Sequence, residues 1–488
     1  MTLYPARLFW IIFSTLIFTL SCSSTQTVEA PSEITTDSFP FEASSAFDRL
    51  SRAIQIETVS LENEDEIDFA PYEEFKSFLS ENYPALHANT EIHYINKYTI
   101  LIEWRGSNEE LKPGLFIGHY DVVPVKEDAV EFWSFAPFGG EQAEGFIWGR
   151  GALDDKAGIL SVVEAAEYLI RSGHENERSF FIALHHDEEI GGLNGAARVS
   201  QFLESRDIEV EFLMDEGPPV AENIIDNIDV PLAMIGVAEK GSLNLELVYR
   251  QEGGHSSMPP RQTVISTLSR AINRIEQRPM KAHYRGLITE TFEPLIPYMS
   301  FTQRLAFNNT WLFSGKIKRE LGKNPATNAA LRTTAAKTIF EAGFKENVLP
   351  VEGRVIINFR LHPNDTIDDV IAYVRRRIDN PDIQINVMDR ARNPSPVSDT
   401  RAAPYSMLKQ TIQEIFDQAL VSPSLFVAAS DSRHFHNLTE NIYRFRPIRA
   451  THDDRARVHG IDERIRKENY LEMIQFQIQL MQNLSGPL

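Results

Sequence analysis

Short apolar runs alternate with longer amphipathic stretches along most of the chain, and the two periods separate strands from helices. Tyr98–Trp104 (YTILIEW), Gly114–Tyr120 (GLFIGHY), Ser179–His186 (SFFIALHH) and Val210–Gly217 (VEFLMDEG) are of strand length and near-continuously apolar, the pattern of strands buried on both faces. Around them, Ala46–Ile56, Tyr72–Tyr83 and Ala157–Gly173 carry apolar residues at helical spacing, the last closed by a glycine. This alternation predicts an α/β layered fold with a mostly parallel sheet. Near Gly241 the rhythm changes. Ser242–Arg250 (SLNLELVYR) and Val351–Leu361 (VEGRVIINFRL) alternate as half-solvated strands do, with helices predicted over Thr263–Glu276 and Ile367–Ile378. A small α+β domain is therefore expected over residues 242–388, inserted into a larger one made of 46–241 and 389–488. The α/β rhythm resumes with a helix over Ala403–Gln418, a strand at Leu425–Ser430 and a terminal helix over Glu463–Leu484.

Length agrees with that division, because 488 residues exceed what one hydrophobic core usually serves. Residues 1–22 read as a targeting signal: Arg7 precedes the apolar run Leu8–Leu20, which is too short for a comfortable membrane span. The single cysteine, Cys22, closes the signal and resembles the lipidated cysteine of a bacterial lipoprotein; a plain signal peptide with an incidental thiol is the alternative. Either reading predicts an exported protein, located in the cell envelope where the cysteine is lipidated, with no internal disulfide. Residues 23–45, rich in Ser, Thr, Glu and Pro, read as a flexible tether. A formal net charge of −21 argues against a nucleic-acid partner, since phosphate binding needs clustered Lys and Arg.

Chemistry concentrates where predicted strands end. In GHYDVV, His119 and Asp121 share a strand face, so Asp121 can accept the ring N–H that a metal leaves free. WGRGALDDKAG places Asp154 and Asp155 side by side before a helix, an arrangement a cation would relieve; a helix cap is the blander use of either. HHDEEIGG brings Glu188 and Glu189 out at a strand end, and LMDEG does so with Asp215. RVHGIDER sets His459 before the last helix. Taken singly, each is as well explained by a turn, a cap or a surface residue. Together, and in this order, they make a mixed nitrogen and carboxylate set suited to zinc.

The order HxD, GRGALDDK, DEEIGG, MDEG, GGHSSMP, FRLHP and HGIDER resembles the zinc aminoacylase and carboxypeptidase family that includes glutamate carboxypeptidase, aminoacylase and yeast carboxypeptidase S. RTTAAKTIF, ENVLP, SDSRHF and IYRFRPI look most like its carboxypeptidase S and N-fatty-acyl-amino-acid synthase/hydrolase branch. The resemblance implies two zinc ions per subunit, one held by His119 and Asp215, the other by Glu189 and His459, with Asp154 bridging and a cis peptide following it. It implies that Asp121 orients His119 and that Glu188 is the general base. It further implies a homodimer formed through the 242–388 domain, with His255 reaching across to stabilise the oxyanion, and Asn347 and Arg360 holding the substrate's carbonyl and carboxylate. Arg433 is a second anchor candidate, with a salt bridge to Asp431 or another acid of the same domain as the alternative.

The reaction so implied is hydrolysis of the amide between an acyl or peptidyl group and a C-terminal amino acid, on small peptides or N-acyl amino acids. A dipeptidase or aminopeptidase of the same fold is the runner-up, although Arg360 suits a carboxylate better than an amine. A non-catalytic binding member would have no need of Glu188. Between Arg285 and Lys345 lies a long insertion dense in large apolar residues, including Phe292, Phe307, Trp311 and Phe313. Such surface is expected to be covered by the domain itself, by a dimer partner, or by a long acyl chain.

Overall fold

The computed structural model describes residues 41–222, 230–451 and 454–488. Cys22 and the expected signal lie outside the described residues. A helix at Ala43–Gln55 starts just inside the stretch expected as tether.

The central sheet has ten strands. Its order is Glu91–Ile95, Thr99–Trp104, Phe180–His185, Gly114–His119, Phe212–Asp215, Ile442–Arg444, Leu232–Glu239, Val220–Ala221 and Arg449–Ala450, with Leu420–Phe426 also paired to Leu232–Glu239. The sheet is mixed but parallel through its centre, where Gly114–His119 runs parallel to both Phe180–His185 and Phe212–Asp215. Those three strands are buried along their whole length, which is why they read as unbroken apolar runs.

Successive residues of a strand face opposite ways, and the core divides accordingly. Phe116, Phe180, Ile182 and Leu184 join the helices Ala43–Gln55, Ala70–Asn82, Lys156–Arg171, Ala403–Ile415 and Lys467–Leu484. Leu115, Ile117, Phe181 and Ala183 turn to the other face and pack with Ala196, Val199 and Leu203 of the helix Ala196–Ser205. Each fully buried Leu, Ile, Val or Phe among them contributes about 1.5–3 kcal/mol by leaving water. The expected α/β architecture is the observed one.

A second, antiparallel sheet has the order Thr334–Ala342, Glu352–Leu361, Gly241–Arg250 and Gln384–Val387. Leu243, Leu245 and Leu247 alternate with half-buried positions because one face is covered by the helices Val264–Gln277 and Ile367–Ile378. Thr263 and Thr366 begin those helices, each side chain accepting an N–H three residues on, as capping residues do.

Two C-terminal elements begin away from their expected positions. The strand placed at Leu425–Ser430 is Leu420–Phe426. The terminal helix starts at Lys467, not Glu463, because Arg464–Arg466 is drawn into a strand against Phe146–Trp148. That pairing brings the C-terminal region beside the Asp154 loop.

Candidate metal and active site

Parallel pairing points the carboxyl ends of Gly114–His119, Phe180–His185 and Phe212–Asp215 the same way, and the first cluster of ligands gathers there, on the edge where α/β sheets bind ligands. His119 is the last residue of its strand and is buried. Its Nε2 lies 3.4 Å from Asp154 Oδ1 and 3.6 Å from Glu216 Oε1. Nearby, His459 Nε2 lies 3.1 Å from Asp154 Oδ2 and 3.1 Å from Glu189 Oε1. His119, Asp154 and Glu216 thus form one potential ligand group, and Asp154, Glu189 and His459 a second. Asp154 contributes one oxygen to each.

Asp215 is not in either group. Its Oδ1 accepts the N–H of Glu216 at 2.8 Å and its Oδ2 that of Ser432 at 3.1 Å, so the carboxylate expected on the His119 ion is tied to the backbone instead. The next residue supplies the carboxylate that faces His119.

Asp154 arrives on the loop between the strand Phe146–Trp148 and the helix Lys156–Arg171, and the peptide joining it to Asp155 is cis. Asp155 is seated against two glycines: a Cβ on Gly118 would lie 2.7 Å from its carboxylate, and one on Gly158 would lie 2.1 Å away. Any larger residue would displace it. The loop is held from behind by Glu463, which is fully buried. Glu463 Oε1 accepts the N–H groups of Gly151, Leu153 and Asp154 at 2.9, 2.9 and 3.2 Å, and its other oxygen accepts from Arg150.

Asp121 has two duties. The ring of His119 donates from Nδ1 toward the Asp121 carbonyl at 3.0 Å, with the carboxylate 3.4 Å away. The carboxylate accepts the N–H groups of Glu188 and Glu189, both at 3.2 Å, and the Ser60 hydroxyl at 2.7 Å. It therefore fixes one histidine and the turn bearing the acidic pair together.

The electrostatics follow from burying so many acids. Burial alone would lower the His119 pKa, but hydrogen bonds to the carboxylates of Asp121, Asp154 and Glu216 outweigh it and hold the pKa well above the usual value. His459 is pushed up to about 10 by hydrogen bonds to Asp154 and then Glu189. Burial, then the charge of Asp431, raises the Glu188 carboxyl well above its usual range, a direction that strengthens it as a proton acceptor.

Arg446, which sequence reasoning missed, is the one Arg or Lys with a salt bridge to Asp154 or Glu216 among the described residues. Its Nη2 donates to Asp154 at 3.2 Å, to Asp155 at 3.3 Å and to Glu216. Its signal was the RFRP stretch next to a strand end, but nothing in that stretch says which arginine turns inward. Arg444, two residues earlier, faces Glu239 at 3.5 Å instead.

The remaining expected residues are dispersed. Arg433 donates to the Ser430 carbonyl at 2.9 Å and stands 3.8 Å from Glu188 and 3.7 Å from Asp431. It thus borders the site, with its charge divided between two carboxylates. Asp431 is engaged more tightly by His185, at 2.8 Å. Arg360, at the end of the strand Glu352–Leu361, is half-buried and forms no salt bridge among the described residues. Asn347 is half-buried with its Oδ1 unpartnered. His255 is exposed on a two-residue strand paired to Val348–Leu349, and its Nδ1 meets Ser257 Oγ at 2.8 Å.

The insertion divides its apolar residues. Phe292, Phe307, Phe313 and Ile317 pack together with Tyr284, Ile288 and Leu331. Trp311 does not, and is 82% exposed.

The donor chemistry suits zinc: imidazole nitrogens and carboxylate oxygens, with one carboxylate offering an oxygen to each of two groups, and a half-buried acid, Glu188, alongside.

Comparison with known proteins is consistent with this geometry. The model of peptidase family M20/M25/M40 matches residues 115–483. The N-fatty-acyl-amino acid synthase/hydrolase PM20D1 of Xenopus tropicalis is 39% identical over 438 residues, spanning 89% of this chain and 85% of that protein. Carboxypeptidase S of Saccharomyces cerevisiae is 28% identical over 493 residues, spanning 91% and 85%. Among solved structures, the M20 family metallo-carboxypeptidase Sso-CP2 of Sulfolobus solfataricus superposes with a TM-score of 0.64 at 17% identity, over 90% of this chain and 99% of that one. The di-peptidase Dug1p of Saccharomyces cerevisiae gives 0.60 at 16% identity, over 92% and 99%.

Proposed function

The chain belongs to peptidase family M20/M25/M40, and from that premise we propose that it is a two-zinc hydrolase releasing a C-terminal amino acid from an acyl or peptidyl group. The observation that carries the reading is the pair of ligand groups sharing Asp154, with Glu188 beside them. We assign one ion to His119, Asp154 and Glu216 and the other to Asp154, Glu189 and His459. Bound there, the ions would polarise the scissile carbonyl and acidify a water. Glu188 accepts the proton and returns it to the leaving amine. Asp121 and Glu463 hold the ligand-bearing segments in place.

Residues 242–388 serve as the substrate-covering domain. Arg360 binds the free α-carboxylate, and its partial burial without a salt bridge among the described residues supports this role, because a desolvated guanidinium gains most from a carboxylate that fits its fork. Asn347, with Oδ1 unpartnered, is the companion polar contact. Hydrogen bonds to a charged group contribute about 1.5–3 kcal/mol, so Arg360→Ala should cost roughly 10- to 150-fold in kcat/KM on N-acyl amino acids. Converting the substrate's carboxylate to a primary amide should cost the wild type as much and the variant almost nothing. Equal sensitivity of both enzymes to amidation would assign the carboxylate to another residue. Efficient cleavage of substrates whose only charged end is a free amine would favour the aminopeptidase reading.

We further propose that the enzyme is exported through residues 1–22, with Cys22 lipidated, and acts as a homodimer in which His255 stabilises the oxyanion in the partner's site. Its exposure in the single chain, with Ser257 as its hydrogen-bond partner, supports action on a second subunit. Two inactive homodimers, one carrying His255→Ala and one Glu188→Gln, should regain activity when their subunits exchange. Mixed dimers that form and stay inactive would put His255 out of the partner's chemistry.

A further inference from the structure

The insertion carries a surface that hydrolysis does not explain. Its helices Phe301–Asn308 and Thr310–Leu321 are amphipathic in an unusual sense. Their inner sides contribute Phe307, Phe313 and Ile317 to a small core. Their outer sides are also apolar, with Phe301 72%, Leu305 48%, Trp311 82% and Leu312 60% exposed. An outward face with this much aromatic and aliphatic surface is costly in water unless something covers it.

Charge indicates what covers it. Across residues 298–323 the charged side chains are Arg304, Lys316, Lys318, Arg319 and Lys323 against the lone acid Glu320, in a chain whose formal net charge is −21. Glu320 is paired with Lys323 at 2.6 Å, and none of the other four forms a salt bridge among the described residues. Arg304 lies three residues after Phe301, and Lys316 and Arg319 lie four and seven after Leu312, so the basic side chains share the exposed faces with the apolar ones. An acidic protein that gathers exposed Trp, Phe, Leu and unpaired cations on two short adjoining helices presents the chemistry of an interfacial helix. Such helices bury their apolar side at the boundary of headgroup and acyl chain while cations meet anionic headgroups.

We propose that the outer face of residues 301–323 docks on the surface of an anionic phospholipid bilayer. A second copy of this chain is the less apt occupant, because two such faces would bring like charges together. The proposal does not depend on the hydrolytic reading or on acylation of Cys22.

Gly315 offers a local probe: it is exposed on helix Thr310–Leu321, and a Cβ there would meet open space. In the full chain with Cys22→Ser, which removes the only native thiol, a polarity-sensitive fluorophore is attached at Gly315→Cys. Vesicles of phosphatidylcholine with phosphatidylglycerol should shift its emission to the blue. Vesicles of phosphatidylcholine alone should leave it near its value in buffer. Each basic side chain at an anionic surface is worth roughly fivefold in partitioning, so Lys316→Glu with Arg319→Glu should weaken the response by about 25-fold or more. Trp311→Ser with Leu312→Ser should weaken it comparably, with the far-ultraviolet circular dichroism of each variant unchanged. An emission unmoved by anionic vesicles, even when the protein sediments with them, would overturn the proposal. So would an equal shift on neutral vesicles, or a blue shift without vesicles that grows with protein concentration, which would reveal a second copy on the face.

Discussion

Glu188→Gln should retain its metal and most of its substrate affinity while kcat falls by roughly 10²–10⁴-fold, the usual worth of positioned general acid–base assistance. At 1.36 kcal/mol per tenfold, that is a barrier rise of about 3–5 kcal/mol. The expectation follows from placement: the Glu188 side chain belongs to neither ligand group, yet it sits in the turn that Asp121 anchors and next to Glu189, which does belong to one. The substitution keeps shape and removes only the ability to take a proton. Single-turnover rates and metal content, measured on the same preparation, check it. Turnover within a few-fold of wild type, or loss of metal in parallel with activity, would remove Glu188 from the base's role.

The strands that build the site were legible because they are buried on both faces, so their runs carry no polar interruption that could be mistaken for a turn. His119, Asp154, Glu189 and His459 stood out for a related reason, since each lies at or just after a predicted strand end or before a predicted helix, but their roles as ligands came from the family resemblance and not from local pattern. Other features depend on contacts between distant segments, which local pattern does not encode. Glu463 lies in a motif chosen for its histidine, and its grip on Gly151, Leu153 and Asp154 exists only because Arg464–Arg466 pairs with Phe146–Trp148. That pairing also moved the start of the last helix. Arg446 reaches the carboxylates by tertiary packing, with its main-chain N–H bonded to the carbonyl of Pro218, three residues past Asp215. Trp311 and Phe307 are four residues apart and equally apolar in sequence. One is solvent-exposed and the other packed because of how two short helices lean on Tyr284 and Leu331.

The choice between Asp215 and Glu216 has the same origin, and its outcome should be measurable as metal stoichiometry. Two adjacent acids at a strand end cannot both turn toward His119, and sequence does not say which one does. In the structure Asp215 spends its oxygens on the N–H groups of Glu216 and Ser432, whereas Glu216 Oε1 lies 3.6 Å from His119 Nε2. Glu216→Gln should therefore lower the zinc bound per chain from about two toward one, since the His119 group loses one of its two carboxylates. A catalytic metal stabilises the transition state by several kcal/mol, so kcat should fall by about a thousandfold or more at 1.36 kcal/mol per tenfold. Asp215→Asn should keep both ions. Its amide oxygen can still accept one of the two N–H bonds, so the change should appear as a loss of about 1–3 kcal/mol of stability, the cost of leaving one buried partner unsatisfied. Native mass spectrometry for the ions and denaturant titration for stability separate the two variants. The opposite pattern, with Asp215→Asn losing an ion while Glu216→Gln retains both, would return the ligand role to Asp215 and leave Glu216 as the partner of Arg446.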